Sequence, residues 1–409
     1  MRRIVLFAVV AISFIACEKD PIITTDFTEN TAAVVENYRV SLNEALQIAD
    51  SHIDNLSPQT RGVNRKVKST ELYVAKPATR SVGNQEVSFY LVNYEDNQGF
   101  AMVSTDERAT PVYAYSDSGQ LTSDDLETNP ALKIFMEGSI ENYQIEVAGY
   151  DQPLPIELPD SIYGDIGKLS IVEYDGGLYY ESLTVETTEV EPLLTTEWHQ
   201  RAPYGSFCPN GIGGCGPIAA AQVMAYHKHP SSFNGYPFDW DAMTAFATID
   251  SLSTTADDVA LLVRQIADNM EASYNPEGTT SVDFERVKYT LRDFDYTCGH
   301  PASFNRDRII DQNLDLNRPV IIRGDNLAGD GHAWVIDGYR YQAYRYTYYY
   351  TFEPYDRYDS FISSSSTYFH CNIGWKRRSN NTTVNGYYLS NSFLHPVDIE
   401  VIHDIVPVE

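Results

Sequence analysis

Positive charge is what this chain has least of. Its 409 residues carry 29 Lys and Arg against 57 Asp and Glu, a formal charge of −28. So acidic a surface repels polyphosphate, which excludes nucleic acid as a partner and anionic lipid surfaces with it. Cysteine is also scarce: Cys17, Cys208, Cys215, Cys298 and Cys371. Their spacing makes neither a zinc site nor a dense disulfide framework. If Cys17 is processed and Cys215 stays free, only Cys208, Cys298 and Cys371 remain, enough for at most one disulfide. Cys298-Gly299-His300 and His227-Lys228-His229 read as surface or packing features rather than metal ligands. Beyond the first residues no long apolar run occurs, so no spanning helix is expected. What the chain does have is a globular 43% of hydrophobic residues, 30 Tyr, and length for two domains.

Residues 1–16 read as a leader, with Arg2 and Arg3 ahead of an apolar core from Ile4 to Ile15. Phe14-Ile15-Ala16-Cys17 resembles a bacterial lipobox. That implies lipid on Cys17 and contact with a membrane only through this anchor, on the outer surface of a bacterium. Residues 17–35 are polar, like a tether. Residues 36–150 read as a small α+β domain. Ser41-Leu42-Asn43-Glu44 is a capping box, and Leu42, Ala45, Leu46, Ala49 and Ile53 follow at helical spacing. Strands are expected at 71–75, 87–93, 99–104 and 110–116, and a helix at 129–146 behind Pro130. No nucleophile paired with a base stands out there. Residues 151–191, acidic and in part Pro-rich, read as an exposed, cleavable junction. Residues 192–409 read as a second domain. Helices are expected at 215–227, 256–270 and 282–294, then strands at 318–323, 332–338, 368–373 and 386–389. Helices before an antiparallel sheet is an α+β order.

The chemistry gathers on Gly213-Gly214-Cys215-Gly216-Pro217. Two glycines allow a tight turn, Pro217 suits a first helical turn, and an Ala-rich apolar run follows. A thiol at a helix N-terminus meets unpaired N–H groups and the positive end of the macrodipole, both of which favour thiolate. The same residue can equally pack as a small hydrophobe. A cysteine nucleophile needs a base, and His332 is the best candidate, directly after Gly331 at the start of an apolar strand. Cysteine first and histidine later is the order of papain-like enzymes. Asn372, in His370-Cys371-Asn372-Ile373-Gly374-Trp375, can orient the imidazole, with Trp375 shielding it. Gln200 can supply an oxyanion donor beside the Cys215 N–H.

These segments resemble the streptopain family of secreted bacterial cysteine peptidases. The resemblance rests on Thr196-Glu197-Trp198-His199-Gln200 with Pro203-Tyr204, Gly214-Cys215, Ala219 to His227, Pro319-Val320, Gly331 to Gly338, and His370 to Trp375. Ser88 to Asn93 and Gly99 to Asp106 resemble that family's inhibitory prodomain. The resemblance implies a papain-like fold, endopeptidase activity on protein and peptide substrates, and a zymogen inhibited by its own prodomain. It implies Cys215 as nucleophile, His332 as proton acceptor and Gln200 at the oxyanion site, with no metal or organic cofactor. The chain departs from the family at Ile373, where a tryptophan is usual, and at Lys376-Arg377, where a glycine pair is usual. Residues 339–366 are longer and richer in Tyr than the family's hairpin, a decorated surface or an extra binding rim. A papain-like amidohydrolase or transpeptidase would use the same thiol. A non-catalytic surface binding or inhibitor protein would not need Cys215, His332 and Gln200 together.

Overall fold

The computed structural model describes residues 38–56, 65–75, 86–150, 170–174, 177–276, 279–352, 355–376, 384–394 and 399–408, with the backbone alone at 170–183 and 346–363. The expected leader and tether, Cys17 and the first part of the expected junction lie outside the described residues. The elements below belong to one unit, Val40–Glu409.

The capping box forms. Ser41 N–H donates to Glu44 Oε2 (2.7 Å) and Glu44 N–H to Ser41 Oγ (3.4 Å), opening α1 (Leu42–Leu56). Its Ala45, Ala49, Ile53 and Leu56 are buried against a meander of four antiparallel strands. These are β1 (Val67–Val74), β2 (Ser88–Tyr94), β3 (Phe100–Ser104) and β4 (Val112–Ser116). α2 (Ser123–Thr128) leads into α3 (Pro130–Ala148), where Asn129 Oδ1 accepts the N–H groups of Ala131 and Leu132. Pro130 occupies the first turn, where its missing donor costs nothing.

The junction is more ordered than its composition suggests. β5 (Ser170–Tyr174) and β6 (Gly177–Val190) form a hairpin. Thr184, Val185, Thr187, Thr188 and Val190 are β-branched, which suits a pleated strand as well as it suits an extended linker. Three helices follow: α4 (Cys215–His227), α5 (Thr255–Asn269) and α6 (Phe284–Asp293). Then come β7 (Ala302–Ser303), β8 (Val320–Asp325), β9 (Gly331–Phe352), β10 (Tyr355–Asn372), β11 (Gly386–Leu389) and β12 (Glu400–Ile402). The strand expected at 332–338 thus runs on for 22 residues, paired with β10 on one side. On its other side it meets β8 first and β6 afterwards, from Tyr339↔Val190 to Thr351↔Leu178.

The two halves expected as separate domains share one sheet, in the order β1-β2-β3-β4-β11-β10-β9-β8-β12-β7. The join is short: Tyr387 pairs with Tyr115 and Tyr388 with Ala114. Strand alternation serves a core on each face. Ile322, Trp334 and Ile336 pack with Phe89, Phe135 and the N-terminal strands. Ile321 and Val335 pack with Ile218, Val223, Val263 and Leu291 of the three helices. The helices therefore cover one face and the N-terminal segment the other.

Polar contacts fasten that segment. Tyr368 O–H donates to Val112 O (2.8 Å), and the hydroxyls of Ser139 and Ser392 lie 2.9 Å apart. Ser116 Oγ donates to Asn385 O (3.1 Å). From α3, Glu137 Oε2 accepts the Leu327 N–H (2.8 Å) and Lys133 lies 3.7 Å from Asp330. Both partners sit in the turn that leads into His332. Arg340 of β9 is buried, with its guanidinium 3.1 Å from Asp117, 3.2 Å from Glu189 and 3.4 Å from Glu191. It lies over the Tyr387 ring at 4.1 Å. One cation thus holds the N-terminal segment, the junction strand and the main sheet together.

Candidate active site

Three stretches far apart in sequence meet where α4 begins. Gly214 precedes the helix at φ +90°, and a Cβ there would stand 2.9 Å from Thr280 Cγ2, so glycine is required on both counts. Cys215 is half-buried as the first helical residue. Gly213 N–H donates to Gln200 O (2.7 Å), which fixes the Gln200 segment beside the start of α4. His332 opens β9 and is 2% exposed.

The Cys215 thiol is pulled in two directions. Burial raises its pKa. The hydrogen bond and charge of His332, with the N–H groups of Ala333 and Gly216, outweigh burial and hold the thiol below its ordinary value. The imidazole is thus engaged with Cys215 on one side. On the other, Nε2 lies 2.8 Å from the carbonyl oxygen of Ile373, so this nitrogen is the donor. Trp375 meets the ring edge-on, with centroids 5.9 Å apart at 78°. Trp334 lies nearly parallel to it at 6.2 Å.

Asn372 does not fill the place expected of it. Its Nδ2 donates to Thr196 O (2.7 Å) and to Gln222 Oε1 (3.2 Å), and its Oδ1 accepts from Gln222 Nε2 (3.1 Å). The contact on His332 Nε2 comes from the next residue's backbone. Two features aim that carbonyl. Ile373 N–H donates to Asn385 Oδ1 (2.9 Å), and Gly374 turns the chain at φ +63°. The residue type at 373 is then free to vary, which accommodates isoleucine.

Sequence reasoning passed over Gln222. It lies on α4 with no exposure, two turns beyond Cys215. Besides the Asn372 amide, its Oε1 accepts from Trp198 N–H (3.0 Å) and the Thr196 hydroxyl (3.1 Å). One amide therefore ties the helix that begins at Cys215 to the segment before Gln200 and to the segment that anchors His332. The signal was there, a Gln in an otherwise apolar helix, since a buried amide is rarely left without partners. His199, next to Gln200, is also buried, and its pKa is pushed down to about 3 by desolvation and by the charges of Lys376 and Arg201.

The described cysteines, Cys208, Cys215, Cys298 and Cys371, are all free thiols. Burial pushes Cys208 and Cys298 above the ordinary thiol value, and Cys371 likewise. Cys215 alone among them is shifted toward thiolate.

Comparison with known proteins gives the same outline. The thiol protease/hemagglutinin PrtT of Porphyromonas gingivalis is 25% identical over 321 residues, 65% of this chain and 32% of that protein. The chain thus spans about a third of the length of this curated relative. The structure of a fragment of prointerpain A from Prevotella intermedia aligns with a TM-score of 0.52 at 20% identity. It covers 82% of this chain and 98% of that one, and shares its fold. Residues 35–143 match the Spi protease inhibitor family, and residues 198–388, which include Gln200, Cys215, Gln222, His332, Asn372 and Trp375, match the Peptidase C10 family. By these matches the part of the chain that carries the site is similar to Peptidase C10, the streptopain family, and the segment ahead of it to the Spi protease inhibitors.

Proposed function

We propose that this protein is a cysteine endopeptidase made as an inactive precursor, with Cys215 as nucleophile and His332 as its acid–base partner. The observation that carries the reading is the imidazole held between the Cys215 thiol and the Ile373 carbonyl. An imidazole fixed at both nitrogens shares its proton with the thiol in one orientation, which favours the ion pair. Thiolate attack on a peptide carbonyl puts negative charge on oxygen, where the Cys215 N–H and Gln200 can receive it. His332 then protonates the leaving amine, and water clears the acyl-enzyme. Asn372 and Trp375 belong to the site in supporting roles, Asn372 by holding the backbone that carries Ile373 and Trp375 by covering the ring.

The N-terminal segment acts as the inhibitor of the same chain. Its contacts with Leu327 and Asp330 bear on the turn before His332, and Ser116 bonds the Asn385 carbonyl, whose side chain accepts the N–H of Ile373, the anchor of the imidazole. The thiol and imidazole are already engaged while the segment is docked, so inhibition works by denying substrate access rather than by taking the pair apart. Cleavage within 151–191 would turn a tethered inhibitor into a dissociable one. Lipid on Cys17 would hold the enzyme on an extracytoplasmic surface, with two acyl chains needed for a stable anchor.

The test is hydrolysis of peptides by the full chain before and after processing. Precursor should be silent and processed enzyme active. Cys215→Ala should abolish activity, and Gln200→Ala should lower it roughly 100- to 1000-fold. Hydrolysis at the full rate by folded Cys215→Ala or His332→Ala protein would falsify the assignment. Transfer of the acyl group to an amine instead of water would favour a transpeptidase.

A further inference from the structure

The peptidase reading uses Gln200 and leaves the buried imidazole beside it without a task. His199 is 4% exposed. Its ring meets Tyr204 edge-on, with centroids 4.8 Å apart at 86°. Tyr204 is held in turn: Trp198 stacks on it at 5.9 Å, and its hydroxyl accepts the Ile249 N–H (3.0 Å). The imidazole is therefore wedged in one place. From there its Nδ1 accepts the Arg201 N–H (3.3 Å), so the ring reaches from the residue before Gln200 to the residue after it. The Gln200 carbonyl accepts the Gly213 N–H (2.7 Å), two residues before Cys215. Gly205 packs so closely on that carbonyl that a Cβ would stand 2.5 Å from the oxygen, and its own N–H donates to Arg201 O (3.1 Å). Gln200 is thus the middle residue of a turn, closed by the imidazole on one side and tied to the opening of α4 on the other.

Packing does not account for this imidazole. Desolvation pushes its pKa down to about 3, so the ring is neutral. With Nδ1 as acceptor the proton sits on Nε2, which is buried and has no partner among the described residues. A buried N–H left unmet is a cost that a phenyl ring in the same place would avoid. What the imidazole has and a phenyl ring lacks is the acceptor for Arg201.

An oxyanion donor speeds a reaction only if it is already aimed when the charge develops, so the turn that fixes its backbone bears on rate. We infer that His199 is a positioning residue for Gln200, holding it through the Arg201 N–H in the place from which it serves the oxyanion. This inference rests on the oxyanion role proposed for Gln200 and extends that role to the residue beside it.

The test crosses two substitutions in enzyme expressed as the full chain and allowed to mature. His199→Phe keeps a ring against Tyr204 and has no acceptor. His199→Asn gives up the ring and keeps an acceptor, since an asparagine oxygen reaches the N–H two residues on. His199→Phe should lower kcat in peptide hydrolysis roughly 10- to 100-fold with KM little changed, while His199→Asn should stay within about threefold of the unmodified enzyme. Alkylation of Cys215 by iodoacetamide passes through no oxyanion, so its rate should hold in both variants. In Gln200→Ala protein, adding His199→Phe should cost nothing more. The opposite pattern, with Phe active and Asn slow, overturns the inference and makes the imidazole a packing group. His199→Asn alone decides the matter if His199→Phe does not fold. Losses that add in the double variant overturn the inference, as does a fall in alkylation that matches the fall in hydrolysis. If Gln200→Ala protein cleaves at the full rate, the oxyanion role of Gln200 fails and the inference with it.

Discussion

Replacing Gln222 by methionine tests whether the site is assembled by one buried amide. Methionine fills a similar volume, so cavity formation is a minor part of the change. What is lost is polar. Trp198 N–H, now 3.0 Å from Gln222 Oε1, is left buried without a partner. Asn372 Oδ1 loses its donor at 3.1 Å, while its Nδ2 keeps Thr196 O at 2.7 Å. The Thr196 hydroxyl can turn elsewhere. One or two unsatisfied buried groups at about 1–3 kcal/mol each predict a loss of about 2–5 kcal/mol in stability. A core truncation on the neighbouring helix, Leu262→Ala, should cost about the same, 2–5 kcal/mol, and serves as control. The two variants should then part company. Freed of Gln222, the Gln200 segment and the Ile373 carbonyl shift relative to Cys215, and kcat should fall roughly 10- to 100-fold, or about 1.4–2.7 kcal/mol in the barrier. KM should change little, because orientation matters most in the transition state. Urea unfolding gives the first quantity and steady-state peptide hydrolysis the second. If Gln222→Met loses the expected stability yet keeps the kcat of the Leu262→Ala control, the amide holds the fold and not the site.

Three further outcomes are expected. In His332→Ala protein the Cys215 thiol loses the largest of the influences that lower its pKa while burial still raises it, so the pH midpoint of iodoacetamide alkylation should move upward; an unmoved midpoint would show that the helix and backbone N–H groups alone set the thiol. Arg340→Met strips Glu189 and Glu191 of their cation and leaves Asp117 with Arg65 at 3.8 Å, and because Asp117, Glu189 and Glu191 remain 31–42% exposed the cost should lie at or below the lower end of the usual buried-pair range, roughly 2–3 kcal/mol. The urea midpoint of the precursor should fall and its background hydrolysis rise, and unchanged values for both would refute the role of Arg340 as a fastening. Cys17→Ser protein should lose incorporation of a labelled fatty acid and leave the membrane fraction; wild-type protein that never takes up label would refute the anchor.

The parts of the site visible in the sequence were those whose function requires a particular side chain in a particular local setting. Two glycines, a cysteine, a proline and an alanine run announce a thiol at a helix start, and Gly331-His332 ahead of an apolar run announces an imidazole at a strand start. The anchor of that imidazole was not visible, because a backbone carbonyl leaves no mark on residue type. Asn372 drew attention as the nearest amide, yet the carbonyl is aimed by Gly374 and by Asn385, twelve residues beyond Ile373 across a segment of unrelated sequence. The junction strand was hidden for a different reason. A run of Glu, Thr and Val suits an extended linker and a strand equally, and the partner that decides, β9, lies more than a hundred residues away. The single sheet was hidden in the same way, since a join of two residue pairs between β4 and β11 has no local pattern to betray it.

That join has a consequence for the rest of the chain if the N-terminal segment is cut away as proposed. While the N-terminal segment is docked, β11 is an interior strand with neighbours on both sides. Once the segment leaves, β11 becomes the border of the sheet, and the backbone groups that faced β4 are bare. Exposed borders of this kind invite other chains to add strands, which is a common route to aggregation. Here the hazard is small by construction, because β11 has four residues and only Tyr387 and Tyr388 were paired to β4. A longer seam would have gripped the N-terminal segment harder and left a stickier sheet behind. The short seam moves the work of holding the two halves together onto side chains such as Arg340, Tyr368 and Ser139, which can return to water when the halves separate.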